Sequence, residues 1–188
     1  PFAPRTKWGA PWATTWFRFT GEIPPDWAGR QVEAVIDLGF HPDAAGFQCE
    51  GLLVDLHDDG TFSPLQGIHP RRTNYALDAD PGPVLLHLEA ASNPTFAGYQ
   101  PSRFGLVETA GDRPLYQFRR ASLVVVDLDA RALTFDIEVL DGVMRALAHD
   151  DPRRARLART LTQAHDRVPD VAAARRVLAT ARAEDFGD

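Results

Sequence analysis

Cysteine is nearly absent from this chain of 188 residues, which contains Cys49 alone. One thiol cannot form an internal disulfide bond, and a cysteine-based zinc cage needs several thiolates. The sequence therefore excludes a disulfide-stabilised scaffold and a zinc finger. We expect Cys49 to be a small, buried, apolar residue rather than a reactive one.

Long apolar runs are also missing, and no stretch approaches the roughly 18 residues that a membrane span requires. The chain begins at Pro1 without an initiator methionine and lacks the charged and apolar regions of a signal peptide. Its formal charge of -6 argues against nucleic-acid binding, which needs clustered cationic side chains. We therefore expect part of a longer, soluble, cytoplasmic protein that binds neither nucleic acid nor membrane.

The motifs of common catalytic sites are absent as well. There is no G-x-S-x-G elbow and no glycine-rich phosphate loop. Two pairs, His41 with Asp43 and His87 with Glu89, place a base two residues from a carboxylate, a spacing that serves a metal only when further ligands converge. Because neither pair has such neighbours, we predict a solvated loop for the first and a strand face for the second. The sequence thus provides no catalytic residue, no metal ligand and no cofactor site.

Short segments with the composition of β-strands dominate the first two thirds of the chain. Residues 14–20 are rich in β-branched and aromatic side chains and are predicted to end as a strand at Gly21. Apolar and polar residues alternate over 31–38 and 84–90, which indicates half-buried strands. Asp59-Gly60 predicts the tight turn of a hairpin. The remaining predicted strands are residues 51–56, a strand starting near 61, 104–109 and 122–127.

This pattern of short strands and Gly/Pro turns predicts a mainly β fold, an antiparallel sandwich or jelly roll over residues 1–128. The pattern changes after Asp129, because apolar residues then recur at alternating spacings of four and three. Asp151-Pro152 predicts an N-cap followed by the first residue of a second helix, and Pro169 restarts the pattern. Residues 129–188 are therefore predicted to form a helical connector of two or three amphipathic helices.

Tryptophan spacing suggests a sugar-binding surface. Trp8, Trp12 and Trp16 recur every four residues, which would place them on one face of a regular element. An aromatic face on such a surface could stack on a sugar ring, and Trp27 is a further candidate. The alternative interpretation places these aromatic side chains in a core or at a domain interface.

Several short motifs follow one another along the first hundred residues. The first two are Trp12-Ala13-Thr14-Thr15-Trp16-Phe17-Arg18 and Ile23-Pro24-Pro25-Asp26-Trp27-Ala28-Gly29-Arg30, and then come Asp59-Gly60, Gln66-Gly67 and the set Glu89, Ala91, Asn93, Phe96 and Gly98. In this order and spacing they resemble the N-terminal region of glycoside hydrolase family 38 α-mannosidases of the bacterial and vacuolar or cytosolic type. Pro94, where glycine is usual, and the loop from Phe40 to Gly46 depart from the pattern.

The resemblance implies a galactose-binding-like jelly roll in front of the catalytic barrel of a zinc-dependent, retaining, exo-acting α-mannosidase. The family's aspartate nucleophile and its H-x-H-x-D metal motif would lie beyond Asp188, so no catalytic or metal residue carries over to this chain. We expect the chain alone to be inactive and to support the structure or the substrate pocket of its parent enzyme. Its expected partners are its own catalytic domain, mannose-containing oligosaccharides bound by the parent, and a second copy of the chain.

Three alternatives remain open. The chain could be a carbohydrate-binding module that uses Trp8, Trp12 or Trp27, and a sugar titration would detect this. It could be the N-terminal jelly roll of a β-galactosidase or glucuronidase, although the helical tail speaks against that assignment. A self-contained hydrolase is disfavoured by the missing catalytic motifs.

Overall fold

The computed structural model describes residues 2–41, 46, 48–77, 80–94 and 112–181. The chain divides into two compact units, Pro1–Val125 and Val126–Asp188. We call them the β unit and the helical unit.

The β unit consists of antiparallel strands in three sheets. Its described strands are β1 Lys7–Trp8, β2 Thr14–Ile23, β3 Val32–Asp37, β4 Glu50–Leu56, β5 Phe62–Ile68, β6 Asn74–Leu77, β7 Gly82–Ala91, β8 Tyr116–Gln117 and β9 Arg120–Val125. The sheet orders are β2-β7-β4-β5, β6-β3-β9 and β1-β8. Inward side chains of the two larger sheets, such as Leu88 and Ile36, belong to one buried core. The predicted mainly β, antiparallel fold is confirmed.

Strand β2 differs from its prediction at its C-terminal end. The sequence suggested that the strand stops at Gly21, but pairing with β7 continues to Ile23, which lies opposite Gly82. Strand pairing thus overrides the low strand propensity of glycine. A Cβ atom at Gly21 would lie 3.3 Å from Leu123 Cδ1, so the missing side chain also lets β2 approach β9 closely.

Three short strands were not predicted from the sequence: β1, β6 and β8. Strands β1 and β8 have two residues each and pair only with each other within the described residues. The predicted strand at residues 104–109 lies outside the described residues. The strand predicted at 122–127 is present as β9, two residues earlier in the chain.

The β4–β5 hairpin forms where Asp59-Gly60 predicts it. Gly60 has a φ of +83°, a conformation that glycine adopts without steric cost. The Asp59 carboxylate accepts hydrogen bonds from Thr61 Oγ1 at 2.6 Å and from the Thr61 backbone N–H at 2.9 Å. These hydrogen bonds stabilise the charged form and lower the pKa of Asp59.

The helical unit contains α1 Leu128–Ala146, α2 Pro152–His165 and α3 Val171–Leu178. The predicted N-cap at Asp151 is confirmed, because its side chain accepts a hydrogen bond from the Arg153 backbone N–H at 2.8 Å. Asp127 and Asp170 cap the other two helices in the same way. The buried core residues of this unit are Leu133, Leu140, Leu157, Ala164, Ala174 and Leu178. In the described part of the chain, every helix is too short or too polar to cross a membrane.

Candidate functional site

Trp8 is a core residue of the β unit. It is 3% exposed, and its indole N–H donates a hydrogen bond to the Leu38 carbonyl oxygen at 2.7 Å. Its ring packs edge-on against Phe17, with a centroid distance of 5.2 Å, and lies at a tilt of 32° to the Tyr116 ring, with a centroid distance of 5.5 Å. No ring face of Trp8 is free for a sugar in this conformation.

Trp12 and Trp16 have different environments from Trp8 and from each other. Trp12 lies in a turn with a φ of +61° and is 40% exposed. Trp16 is in β2, 49% exposed, and contacts the Phe62 ring at a centroid distance of 5.7 Å. The prediction that Trp8, Trp12 and Trp16 share one face is therefore wrong, because the turn at Trp12 interrupts the regular repeat.

An open cleft of about 1040 Å³ lies in the β unit between the edge strands β2 and β9. Half-buried Trp27, at the end of a short 3₁₀ helix, forms part of its wall. The inward-facing apolar residues that line the cleft include Phe17, Phe19, Ala34, Ile36, Leu86 and Leu123. The cleft thus extends between the two larger sheets to residues of the core.

Aromatic rings form one side of this cleft. Phe17 and Phe19 are stacked with a centroid distance of 5.8 Å, and Phe118 stacks on both at 6.1 Å. Phe2 adds edge contacts with Phe17 at 5.3 Å and with Phe118 at 5.8 Å. Phe19 and Phe118 were not singled out from the sequence. The available signal was the alternation Trp16-Phe17-Arg18-Phe19, which places Phe17 and Phe19 on the same face of a strand.

Charged side chains surround the cleft. Arg18, Arg119 and Arg120 line it together with Glu22, and all four are exposed. Arg119 donates hydrogen bonds to the Phe40 carbonyl oxygen at 2.8 Å and to Asp37 at 3.3 Å, so its charge is already partly compensated. The rim of the cleft therefore carries more positive than negative charge.

The two histidine–carboxylate pairs do not form a metal site in the described residues, where no three His, Cys, Asp or Glu side chains converge. His87 and Glu89 are half-buried on the same face of β7, opposite Arg18 and Trp16 of β2. The His41 backbone is held by the Gln48 side chain, which accepts a hydrogen bond from its N–H at 2.6 Å. The partner residue of that pair, at position 43, lies outside the described residues.

Cys49 is fully buried, as predicted. Burial, with a further contribution from the negative charge of Asp37, raises its pKa from 9.0 to about 12. The side chain is therefore a neutral thiol at physiological pH, and nucleophilic or metal-binding chemistry would require the thiolate. The nearby Tyr116 has a pKa raised by burial, and its hydroxyl group donates a hydrogen bond to the Asn93 carbonyl oxygen.

Comparisons with known proteins all find similarity to α-mannosidases. A sequence-family model described as "Alpha-mannosidase, jelly roll domain" matches residues 1–124. Alpha-mannosidase 2C1 of Homo sapiens is 28% identical over 164 residues, which cover 84% of this chain and 14% of the human protein. Alpha-mannosidase of Saccharomyces cerevisiae is 31% identical over 144 residues, which cover 76% of this chain and 12% of the yeast protein. The chain spans about one seventh of the length of the human relative.

Proposed function

This chain belongs to the family of α-mannosidase jelly roll domains, and from that premise we propose that it is the non-catalytic N-terminal domain of a zinc-dependent, retaining α-mannosidase. The observation that supports this proposal is the extent of the family match. It covers residues 1–124, and the β unit ends at Val125. The matched module is therefore the entire folded β unit rather than a short motif within it.

The chemistry of the parent enzyme belongs to residues outside this chain. The described residues do not fit a zinc site, since they contain no cluster of three metal-binding side chains and Cys49 is a neutral thiol. In the proposed parent, the catalytic domain would hold zinc and provide an aspartate nucleophile for the hydrolysis of terminal α-mannosides in the cytoplasm. The β unit packs against that domain and supports its substrate pocket.

Hydrolysis of an aryl α-mannoside in the presence of zinc tests this proposal. The 188-residue chain is compared with the full-length polypeptide from which it comes. We expect activity in the long form only, because the proposed metal site lies beyond residue 188. Activity of the 188-residue chain would contradict the assignment and direct attention to His41, His87 and Glu89. An inactive full-length protein would contradict the proposed parent activity.

A carbohydrate-binding module is the second candidate, and it is favoured by the position of Trp27 in the wall of the cleft and by the exposure of Trp12. Titration of the 188-residue chain with mannobiose, followed by tryptophan fluorescence, tests it. Trp27→Ala should abolish a fluorescence change that originates in the cleft, whereas Trp12→Ala, outside the cleft, serves as the matched control. A saturable change that only Trp12→Ala removes would place the sugar at the turn instead.

A further inference from the structure

The cleft of the β unit is bordered by two strand edges for which the described residues provide no backbone partner. Among the described residues, β2 pairs only with β7 and β9 pairs only with β3. No other backbone hydrogen bond between described residues involves residues 14–23 or 120–125. Unpaired N–H and C=O groups along an edge favour the addition of a further strand, and natural proteins usually cover or interrupt such edges.

The inner wall of the cleft is made of core residues. Phe17, Ile36 and Leu86 are 6%, 1% and 9% exposed, belong to the buried core and still line the opening. The volume of about 1040 Å³ lies at the upper end of the roughly 300–1,000 Å³ that small-molecule pockets occupy. A small molecule could cover the apolar wall, but an extended polypeptide would also satisfy the unpaired edges.

The N-terminal segment of the chain shows what kind of group this wall accepts. Phe2 lies outside every strand, yet its ring makes edge contacts with Phe17 and Phe118. An aromatic side chain from a non-sheet segment is thus already accommodated at one position. Next to Gly21 the two edges converge, because Leu123 Cδ1 would lie only 3.3 Å from a Cβ atom at that glycine. The half of β2 from Thr15 to Phe19 is farther from this point of convergence.

We propose that an extended segment of the parent polypeptide, beyond residue 188, occupies this cleft and pairs with β2 at Thr15–Phe19. This inference rests on the proposed function, because it requires a longer chain, and the human relative has about six sevenths of its length outside the match. Contact with core residues favours a permanent partner from the same polypeptide, since permanent interfaces are more apolar than transient ones. The segment would carry apolar side chains at alternate positions that face the core.

The charge of the cleft rim predicts which side chains the outward positions of this segment carry. Arg18 and Arg120 are exposed at the cleft, and no described acidic side chain forms an ion pair with either. Glu22 is the acidic residue of the cleft lining. We therefore expect carboxylates at the outward positions of the segment, opposite the two arginines.

Photo-crosslinking in the full-length protein identifies the occupant. Phe19→p-benzoylphenylalanine keeps the phenyl ring at position 19 and adds a benzoyl group, whose crosslinking ketone extends from the ring into the cleft. Phe62→p-benzoylphenylalanine is the matched control, because Phe62 is also a strand phenylalanine but does not line the cleft. After irradiation, mass spectrometry should find a peptide from beyond residue 188 joined to position 19 and not to position 62. Arg18→Glu combined with Arg120→Glu should lower the yield of this crosslink.

The other outcomes would overturn the inference. A crosslink from position 19 only to residues 1–188 would mean that the chain covers its own cleft, and a product of doubled mass would identify a second copy as the occupant. The absence of any crosslink would mean an open cleft. Hydrolysis of the aryl α-mannoside is measured in parallel on the full-length protein without any of these substitutions. An active enzyme without the crosslink refutes this inference alone, and a crosslinked but inactive protein refutes the proposed function alone.

Discussion

The β unit and the helical unit bury different kinds of side chain. Aromatic rings fill much of the β core, where Trp8, Phe17 and Phe118 are 3%, 6% and 3% exposed. The helical core consists of leucines and alanines, such as Leu157 at 1% and Ala164 at 0% exposure. Because buried aromatic residues remove far more apolar area from water than alanine does, we infer that the β unit has the higher stability per residue.

The two units also differ in the apolar surface they leave exposed. On α1, Leu128, Phe135 and Val139 are 58%, 65% and 43% exposed and lie on one face of the helix by their spacing. The family model covers only the β unit, whereas the alignment with the human relative is longer than that unit and reaches into the helices. The comparison indicates a β unit whose core is rich in aromatic rings and borders an open cleft, and a helical unit with an exposed apolar face on α1. Self-association through that face stays a prediction, which sedimentation velocity tests.

The largest expected effect follows removal of a ring from the β core. Phe17→Ala should lower the free energy of unfolding of the β unit by about 4 kcal/mol, because the deletion of a buried phenyl group costs transfer energy and leaves a cavity. All four tryptophans lie in the β unit, so their fluorescence during urea unfolding follows that unit alone. Circular dichroism at 222 nm follows mainly the helices.

A matched control makes this test specific. Phe135→Ala removes the same ring from a site that is 65% exposed and should change stability by less than about 0.5 kcal/mol. If Phe17→Ala shifts both the fluorescence and the circular dichroism transitions equally, the two units unfold as one, and the contrast drawn between them is wrong.

The features that the sequence predicts correctly are local ones. The alternation in β3 and β7, the turn at Asp59-Gly60 and the N-cap at Asp151 each depend on neighbouring residues. The resemblance to α-mannosidases, carried by the order of short motifs, is also confirmed by the family match. In each case the information lies within a few residues, or in a sequence of such local signals.

The features that the sequence does not predict depend on distant pairings. Strand β1 exists because Lys7 pairs with Gln117 and Trp8 with Tyr116, more than a hundred residues away. The prediction that three tryptophans share one face was wrong because one of them lies in a turn. The cleft could not be predicted because it is defined by which strands become edges, and strand order has no local signal. Trp12 and Trp27 as sugar contacts stay predictions.

Alkaline pH should lower the stability of the β unit more than that of the helical unit. Cys49 and Tyr116, whose pKa values are both raised by burial, lie in the β unit, and the helical unit has neither a cysteine nor a tyrosine. The pKa of Cys49 is raised to about 12 in the folded state from an ordinary value of 9.0. The folded state therefore holds the proton more tightly, so this contribution to stability is complete below pH 9 and is lost as the pH rises towards 12.

Urea unfolding at pH 8 and pH 10.5 measures this difference. We expect the midpoint of the fluorescence transition to fall with pH, while the circular dichroism transition of the helices stays nearly constant. Cys49→Ala should remove part of the pH dependence, because that variant has no thiol to ionise. An unchanged pH dependence in Cys49→Ala would assign the effect to Tyr116, whose pKa is also raised by burial.

The smallest effect is expected at a helix cap of the helical unit. Asp170 accepts a hydrogen bond from the Ala173 backbone N–H at 2.9 Å and so satisfies one of the free donors of α3. Asp170→Ala should lower the free energy of unfolding of the helical unit by about 1 kcal/mol, measured by circular dichroism in urea, and should leave the fluorescence transition in place.

Asp170→Asn is the control: it keeps the acceptor oxygen and removes the charge, so most of the stability should remain if the hydrogen bond is the main contribution. If Asp170→Asn is as unstable as Asp170→Ala, the interaction of the charge with the helix dipole is the main contribution instead. A fluorescence transition that moves with the cap would mean that the helical unit stabilises the β unit, and the two could then no longer be treated as independent.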